Sequence, residues 1–250
     1  FPDVPVLPVR IDGNYRIWPR WASCIRRARL KVTVMNPVRT SEYLNSSELE
    51  TVLREKVESD DSSAVCRKRP GIEGIGKLVY RCPVCSSFGT IMESGHSEAL
   101  CSYCGEQFGL LPDYSLRYRS DGTEITRTLG EVYDDIRVKA EELSIRNLDI
   151  TGIEAVEVFR EEGIRMVPLF KGRLKLTDNA LICGDGSQTV CIPLDDIQSV
   201  TTESNCRLQV YESAEGALYQ FTFKKDSVLK WQDYLLESVR AIRGRYPNRR

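Results

Sequence analysis

Residues 81–105 read RCPVCSSFGTIMESGHSEALCSYCG, and the pairs Cys82-x2-Cys85 and Cys101-x2-Cys104, fifteen residues apart, constrain this chain more than any other feature. A two-residue gap lets a tight turn aim two sulfurs at one ion while its N–H groups point at the thiolates, and two such turns supply four tetrahedral ligands. Pro83 fixes one turn, and Gly105 stands where the backbone must bend away from the other. The intervening stretch is long enough for a hairpin. The spacing predicts a four-thiolate site for a structural zinc ion at Cys82, Cys85, Cys101 and Cys104; a redox-active pair or free thiols are the alternatives. A four-sulfur shell has no open position at which the ion could polarise a substrate or activate water, so such a metal holds a fold. His96, the only histidine, could replace a cysteine or bind something else, but its Ser- and Gly-rich hairpin tip places it at the surface.

The other cysteines, Cys24, Cys66, Cys183, Cys191 and Cys206, bring the total to an odd nine and show no metal-ligand spacing. That argues against a fully paired disulfide framework and for a reducing, cytoplasmic setting. No apolar run approaches the roughly 18 residues of a membrane-spanning helix, and no signal peptide is visible. The chain begins at Phe1 within an apolar run, which makes it read as the C-terminal part of something longer. Net charge is −1, but residues 1–40 carry eight Lys or Arg against Asp3 and Asp12, which leaves the segment at +6 and the remainder at −7. Around the cysteines, Lys77, Arg81, Arg117 and Arg119 are interleaved with Glu93, Glu98, Glu106 and Asp113. This is not the basic face that phosphate contact demands, so nucleic acid is not an expected partner.

Residues 2–12 and 28–37 read as two buried strands, and 47–57 as a helix with Ser47 and Glu50 as its capping box. From Glu58 the composition turns polar and glycine-rich. After the cysteines, two short strands flank a turn at Asp121-Gly122, and Leu129, Val132, Tyr133, Ile136, Ala140 and Leu143 fall at helical spacing. Beyond Ile150 come six or seven short alternating runs, then a helix over about 226–243 with Trp231 on its apolar side. The boundaries that follow are 1–57, a linker over 58–77, a metal-bearing unit with its following hairpin over 78–122, a connecting helix over 123–149 and an antiparallel barrel over 150–250.

Three resemblances refine this reading. The cysteine turns are similar to the knuckles of a zinc ribbon and, less closely, of rubredoxin, which keeps iron open beside zinc. KGRLKLTDNALICGDGSQTVCIPLDDIQSV, with the later FTFKKDSVLKWQDYLLESV, resembles a GRAM or pleckstrin-homology-like (PH-like) domain, whose C-terminal helix plugs one end of the barrel. Some such domains bind phosphoinositides, and Lys171, Arg173 and Lys175 alternate on one strand where they could serve. Finally, Val4-Pro5-Val6-Leu7-Pro8-Val9 and Val32-Thr33-Val34-Met35-Asn36-Pro37-Val38 resemble the last motif strands of the glycerophospholipid (lysophospholipid) acyltransferases, with Asn36 where that family usually has Gly. That resemblance implies a parent enzyme of the 1-acylglycerol-3-phosphate type, taking an acyl-CoA or acyl-ACP donor and a lysophospholipid acceptor in phospholipid biosynthesis.

The family's His-x4-Asp and E-G-T-R motifs are absent: His96 has Cys101 at the +5 position, so this chain holds no catalytic residue of that chemistry. The expected fold class is therefore α+β multidomain: the end of an α/β acyltransferase domain, a zinc ribbon and a PH-like barrel. Between the two motif strands, RIWPRWASCIRRARLK contains six positive charges and no acid. Trp18, Arg20, Trp21, Arg26 and Arg27 there are candidates for contact with a phospholipid surface, alongside Lys171 and Arg173. The opposing reading is a solvated loop with its tryptophans tucked against their own domain. The competing function is a non-enzymatic adaptor that binds a membrane or a protein partner; either way the chain is expected in the cytoplasm, peripheral on a membrane.

Overall fold

The computed structural model describes residues 4–19, 21–22, 25, 29–58, 70–138 and 148–245. Cys24, Cys66, Arg20, Arg26 and Arg27 lie outside the described residues.

The cysteine-bearing unit is a five-stranded antiparallel meander, β5 (Ile91–Glu93), β6 (Glu98–Cys101), β7 (Gln107–Leu110), β8 (Ser115–Ser120) and β9 (Thr123–Thr128). Asp121 and Gly122, at φ 52° and 76°, make the two-residue turn between β8 and β9, the twist-matched geometry that the Asp-Gly pair encodes. Helix α3 (Leu129–Ile136) starts on a capping box: Glu131 N–H donates to Thr128 Oγ1, and Thr128 N–H donates to the Glu131 carboxylate. Residues 139–147, which include the rest of the expected helix, lie outside the described residues.

The C-terminal unit is one seven-stranded antiparallel sheet in the order β13-β12-β11-β10-β16-β15-β14. Its strands are β10 (Asp149–Glu162), β11 (Arg165–Thr177), β12 (Ala180–Gly184), β13 (Thr189–Pro193), β14 (Ile197–Glu203), β15 (Arg207–Glu212) and β16 (Ala217–Thr222). Two register shifts bend the long β10, which pairs with β11 on one side and β16 on the other. Four strands run up and down, three more continue from the first, and helix α4 (Val228–Arg245) closes the end. This is the PH-like arrangement that the sequence resembles. Trp231 and Leu235 of α4 are fully buried among inward residues such as Leu174, Leu208 and Phe221.

The cysteine-bearing unit and the barrel are not separate globules. One apolar cluster runs from Trp21, Ile72 and Ile75 through Tyr80, Phe108 and Val132 into Val156, Leu174, Phe221 and Trp231. Polar links cross the same seam. Tyr80 Oη and Tyr133 Oη both donate to the Asp233 carboxylate at 2.8 Å, and Ser227 Oγ donates to Lys77 O at 2.6 Å while accepting from Lys230 N. Of the segment read as a linker, residues 59–69 lie outside the described residues, but 70–77 are packed, with Ile72 and Ile75 in the core. A boundary drawn by composition cannot see this, because the glycines of that stretch look like loop while its isoleucines fill the seam.

Residues 4–57 depart furthest from expectation. β1 (Pro5–Val6) pairs with β4 (Val38–Arg39), and β2 (Val9–Asp12) pairs antiparallel with β3 (Lys31–Val34). The strands read as buried expose Val9, Ile11, Val32 and Val34. Helix α2 (Ser46–Val57) is capped by Asn45, whose side chain accepts from Glu48 N–H, while the Glu48 carboxylate accepts from Leu44 N–H. The Ser47/Glu50 box therefore yields to an Asn-x-x-Glu pair that comes two residues sooner. Nothing in these pairings is diagnostic of an acyltransferase domain.

The short α1 (Asn14–Ile17) and the turn after it are anchored to the rest of the described chain. Tyr15, Trp21 and Tyr114 pack edge to face or tilted at 5.4–6.2 Å, and Asn205 of the barrel donates to Trp21 O and Ala22 O. Gly74, at φ 82°, lies so close to the Trp21 carbonyl that a Cβ there would collide with it.

The buried carboxylate at the seam yields a direct test. Tyr80→Phe removes one of its phenolic donors and is expected to destabilise the whole chain by about 1–3 kcal/mol. Chemical denaturation checks this, and an unchanged midpoint would mean that the seam contributes nothing.

Candidate metal centre

Two equivalent knuckles build the site. In the first, Cys82 N–H donates to Ser87 O and Ser86 N–H to Cys82 O; in the second, Cys101 N–H donates to Glu106 O and Gly105 N–H to Cys101 O, all at 2.9 Å. The residue after each second cysteine takes the left-handed conformation, Ser86 at φ 61° and Gly105 at φ 77°. Between the knuckles β5 and β6 form the expected hairpin. Its tip carries His96, exposed and outside the cysteine cluster, with its carbonyl accepting from Ile72 N–H at 2.8 Å.

The four Sγ atoms lie within 4.8 Å of one another, with Cys82 and Cys104 3.9 Å apart and Cys85 and Cys101 3.7 Å apart. Four ligands at about 2.3 Å from one ion in a tetrahedron stand about 3.8 Å from each other, so the donor set fits zinc, and iron equally. Free thiols have no reason to converge at that spacing. Burial pushes the Cys82 thiol up. Burial also opposes ionisation of Cys101, but the Cys104 N–H, the Thr90 hydroxyl and the Tyr103 N–H overcome it and bring that thiol down to about 6. The ligands thus differ in environment: Cys82 and Cys101 are buried, Cys85 is half-buried and Cys104 is exposed at the rim.

The knuckle is tied to the barrel through its own residues. Phe88 stacks on Tyr80 with the ring planes 3° apart and meets Tyr234 of α4 edge to face at 5.9 Å, and Arg81 lies over the Phe88 ring. Burial raises the Asp233 carboxyl above its ordinary value, against the lowering effect of its Tyr133 and Tyr80 hydrogen bonds. A second buried constellation holds the start of α4. Asp226 accepts from Lys230 Nζ at 2.6 and 2.8 Å and from Trp231 Nε1 at 3.0 Å, and Glu154 accepts from the backbone N–H groups of residues 224–226. Sequence reading missed both, since nothing local marks Tyr80 for Asp233, 153 positions away. The Asp-x3-Lys spacing at 226–230 was the one visible signal.

The remaining candidates are dispersed. Trp21 is fully buried in the aromatic anchor, so it cannot meet a phospholipid surface, whereas Trp18 is exposed. Lys171 and Arg173 are exposed on β11, but Lys171 stands in register with Glu157 of β10, which also pairs with Lys224 at 3.7 Å, and Lys175 pairs with Asp149 at 2.9 Å. Acids of the neighbouring β10 thus face two of the three cations on that strand. Cys183 faces inward and the exposed Cys191 outward on adjacent strands. No helix among the described residues is long and apolar enough to cross a membrane.

No protein-family model matches the sequence, and no curated protein matches it. Among solved structures, the chain is similar to the N-terminal PH domain of human ARAP2 at 16% identity, over 41% of this chain and 85% of that one, with a TM-score of 0.29. It is also similar to ISP3 of the inner membrane complex of Toxoplasma gondii at 18% identity, over 42% and 83%, with a TM-score of 0.28. An activated truncation of Vav1 matches at 19% identity over 48% of this chain and 40% of that one, again with a TM-score of 0.28. These scores carry no weight for function, and the barrel assignment rests on its strand order.

Metal analysis of the purified chain is expected to give about one zinc per molecule, released progressively as pH falls, because protons compete with the metal for thiolates. A folded chain without metal would refute the site. Gly105→Ala, forced to φ 77°, is expected to cost about 1 kcal/mol of stability, read as a lower melting temperature.

Proposed function

We propose that this chain is a non-catalytic positioning module: a structural zinc ribbon fused to a PH-like barrel, which sets the place or partner of an associated activity. The single observation that carries this reading is the arrangement of the cysteines. Four sulfurs saturate a tetrahedral ion, and the knuckles that supply them are packed onto the barrel helix through Tyr80, Phe88 and Tyr234. Such an ion supplies cohesion when bound and no reactive position. The residues around it orient side chains at the seam: Tyr80 and Tyr133 hold the Asp233 carboxylate, and Ser227 caps α4 while reaching Lys77.

A second reading places this module in a lysophospholipid acyltransferase. What motivates it is the resemblance of residues 4–9 and 32–38 to the last motif strands of that family; the pairing of Val9 with Val34 and Val6 with Val38, 25 and 32 positions apart, is compatible with it but not specific to it. In that reading the proton-abstracting His-x4-Asp and the acyl-thioester site belong to another part of the parent protein, because the only histidine here is followed by Cys101 where Asp is required.

The chain alone, incubated with acyl-CoA and lysophosphatidic acid, is expected to form no phosphatidic acid above the uncatalysed rate. Turnover that survives mutation of the cysteines would overturn the module reading. For the second reading, a His-x4-Asp motif in the full-length reading frame is the expected finding, and its absence would refute it.

A further inference from the structure

We propose that the β2–β3 ribbon, rather than the barrel, is the docking surface of this module, and that its occupant is a bilayer containing anionic phospholipid. The inference rests on the positioning-module reading and names its surface.

The ribbon is inside out. Cross-strand partners Val9 and Val34, and Ile11 and Val32, share one face, and they are 41%, 62%, 44% and 56% exposed. The opposite face bears Arg10, Asp12, Thr33 and Lys31; Arg10, Asp12 and Thr33 are half-buried, and Lys31, at the strand end, is exposed. A half-covered sheet in water turns its apolar face to the core, so the reverse order means that the apolar face has a partner of its own. Val4, Leu7 and Leu30 extend the exposed apolar surface, and Trp18, a side chain suited to the water–lipid boundary, is exposed beyond the Asp12 end of β2.

Charge selects the partner. Residues 1–40 carry +6, and the acidic stretch 41–58 offsets only half of it at −3. Of the cations in residues 1–40, Arg16 is buried and Arg10 is paired with Asp12, whereas Arg29, whose carbonyl lies against Gly13, is exposed at the Asp12 end of the ribbon, Lys31 is exposed at that end on the polar face, and Arg39 is exposed on β4. Two copies packed face to face would bring like charges together, which opposes self-association. An anionic bilayer offers an apolar interior and negative head groups at once, each nearby Lys or Arg strengthening attachment by roughly fivefold. On the barrel, the exposed Lys171 stands opposite Glu157, and the exposed Ile164 at the β10–β11 tip has Glu161 and Glu162 beside it as well as Arg165.

Co-sedimentation of the full chain with phosphatidylcholine vesicles, with and without phosphatidylserine, tests the proposal. Binding is expected on the mixed vesicles, and it should weaken several-fold on pure phosphatidylcholine and at high salt. The variant Ile11→Thr/Val32→Thr/Val34→Thr keeps β-branching but removes apolarity and is expected to bind at least fivefold more weakly. Arg29→Ala/Lys31→Ala should do the same and flatten the salt dependence. Zinc content and unfolding midpoint, measured on the same preparations, should stay unchanged; they report on the module reading separately. Four results would overturn the proposal: no binding at all, parental binding by both ribbon variants, loss of binding only in Lys171→Ala/Arg173→Ala, or concentration-dependent dimerisation abolished by the threonine variant.

Discussion

Four cysteine sulfurs held within 4.8 Å of one another are the constraint on which the rest of the structure depends. Thiolates at that distance repel unless a cation sits among them, and the knuckles that hold them carry few apolar side chains of their own. An ion bound there would be the local source of order for residues 80–106. From there order passes outward through Tyr80 to Asp233, through Phe88 to Tyr234, and through the β5–β9 meander to α3. The barrel helix that closes one end of the seven-stranded sheet thus lies against a surface that the cysteine cluster shapes.

This arrangement explains why a reading in separate modules fails physically. The isoleucines at 72 and 75, Val132 and Ile136 on α3, and Trp231 on α4 belong to one apolar cluster, and the carboxylate of Asp233 sits where the two units meet. A buried carboxylate between two phenols is costly to desolvate and is tolerated only with its donors in place, so it fixes the relative placement of the units more sharply than apolar packing would. Residues 4–57 behave differently. Among the described contacts they join this body around Tyr15, Arg16, Trp21 and Ala22, which meet Tyr114, Gly74 and Asn205, and they leave their apolar strand faces outside.

What could be read from the sequence follows the range of the interactions. The clustering of the four cysteines, the hairpin between them, the Asp121-Gly122 turn, the alternating barrel strands and the amphipathic last helix are encoded by spacings of two to fifteen residues, and each was legible. The face that a strand buries was not. Val9, Ile11, Val32 and Val34 alternate as any half-buried strand does, and alternation says that one face is apolar without saying what covers it. Trp21 and Trp18 look alike in a basic stretch, yet Asn205 and Tyr114, more than 90 positions away, draw one of them into the core. The Tyr80–Asp233–Tyr133 network likewise joins residues with no local signature.

The central claim is that metal ligation and barrel closure are one cooperative event. Hydrogen exchange of the chain, with zinc bound and after its removal by a chelator, tests it most directly. The account predicts that loss of metal strips amide protection from β5–β7 and, with it, from the first turns of α4 and the adjoining part of β10. Full protection of α4 and β10 in the metal-free chain, with exchange confined to residues 80–106, would contradict it.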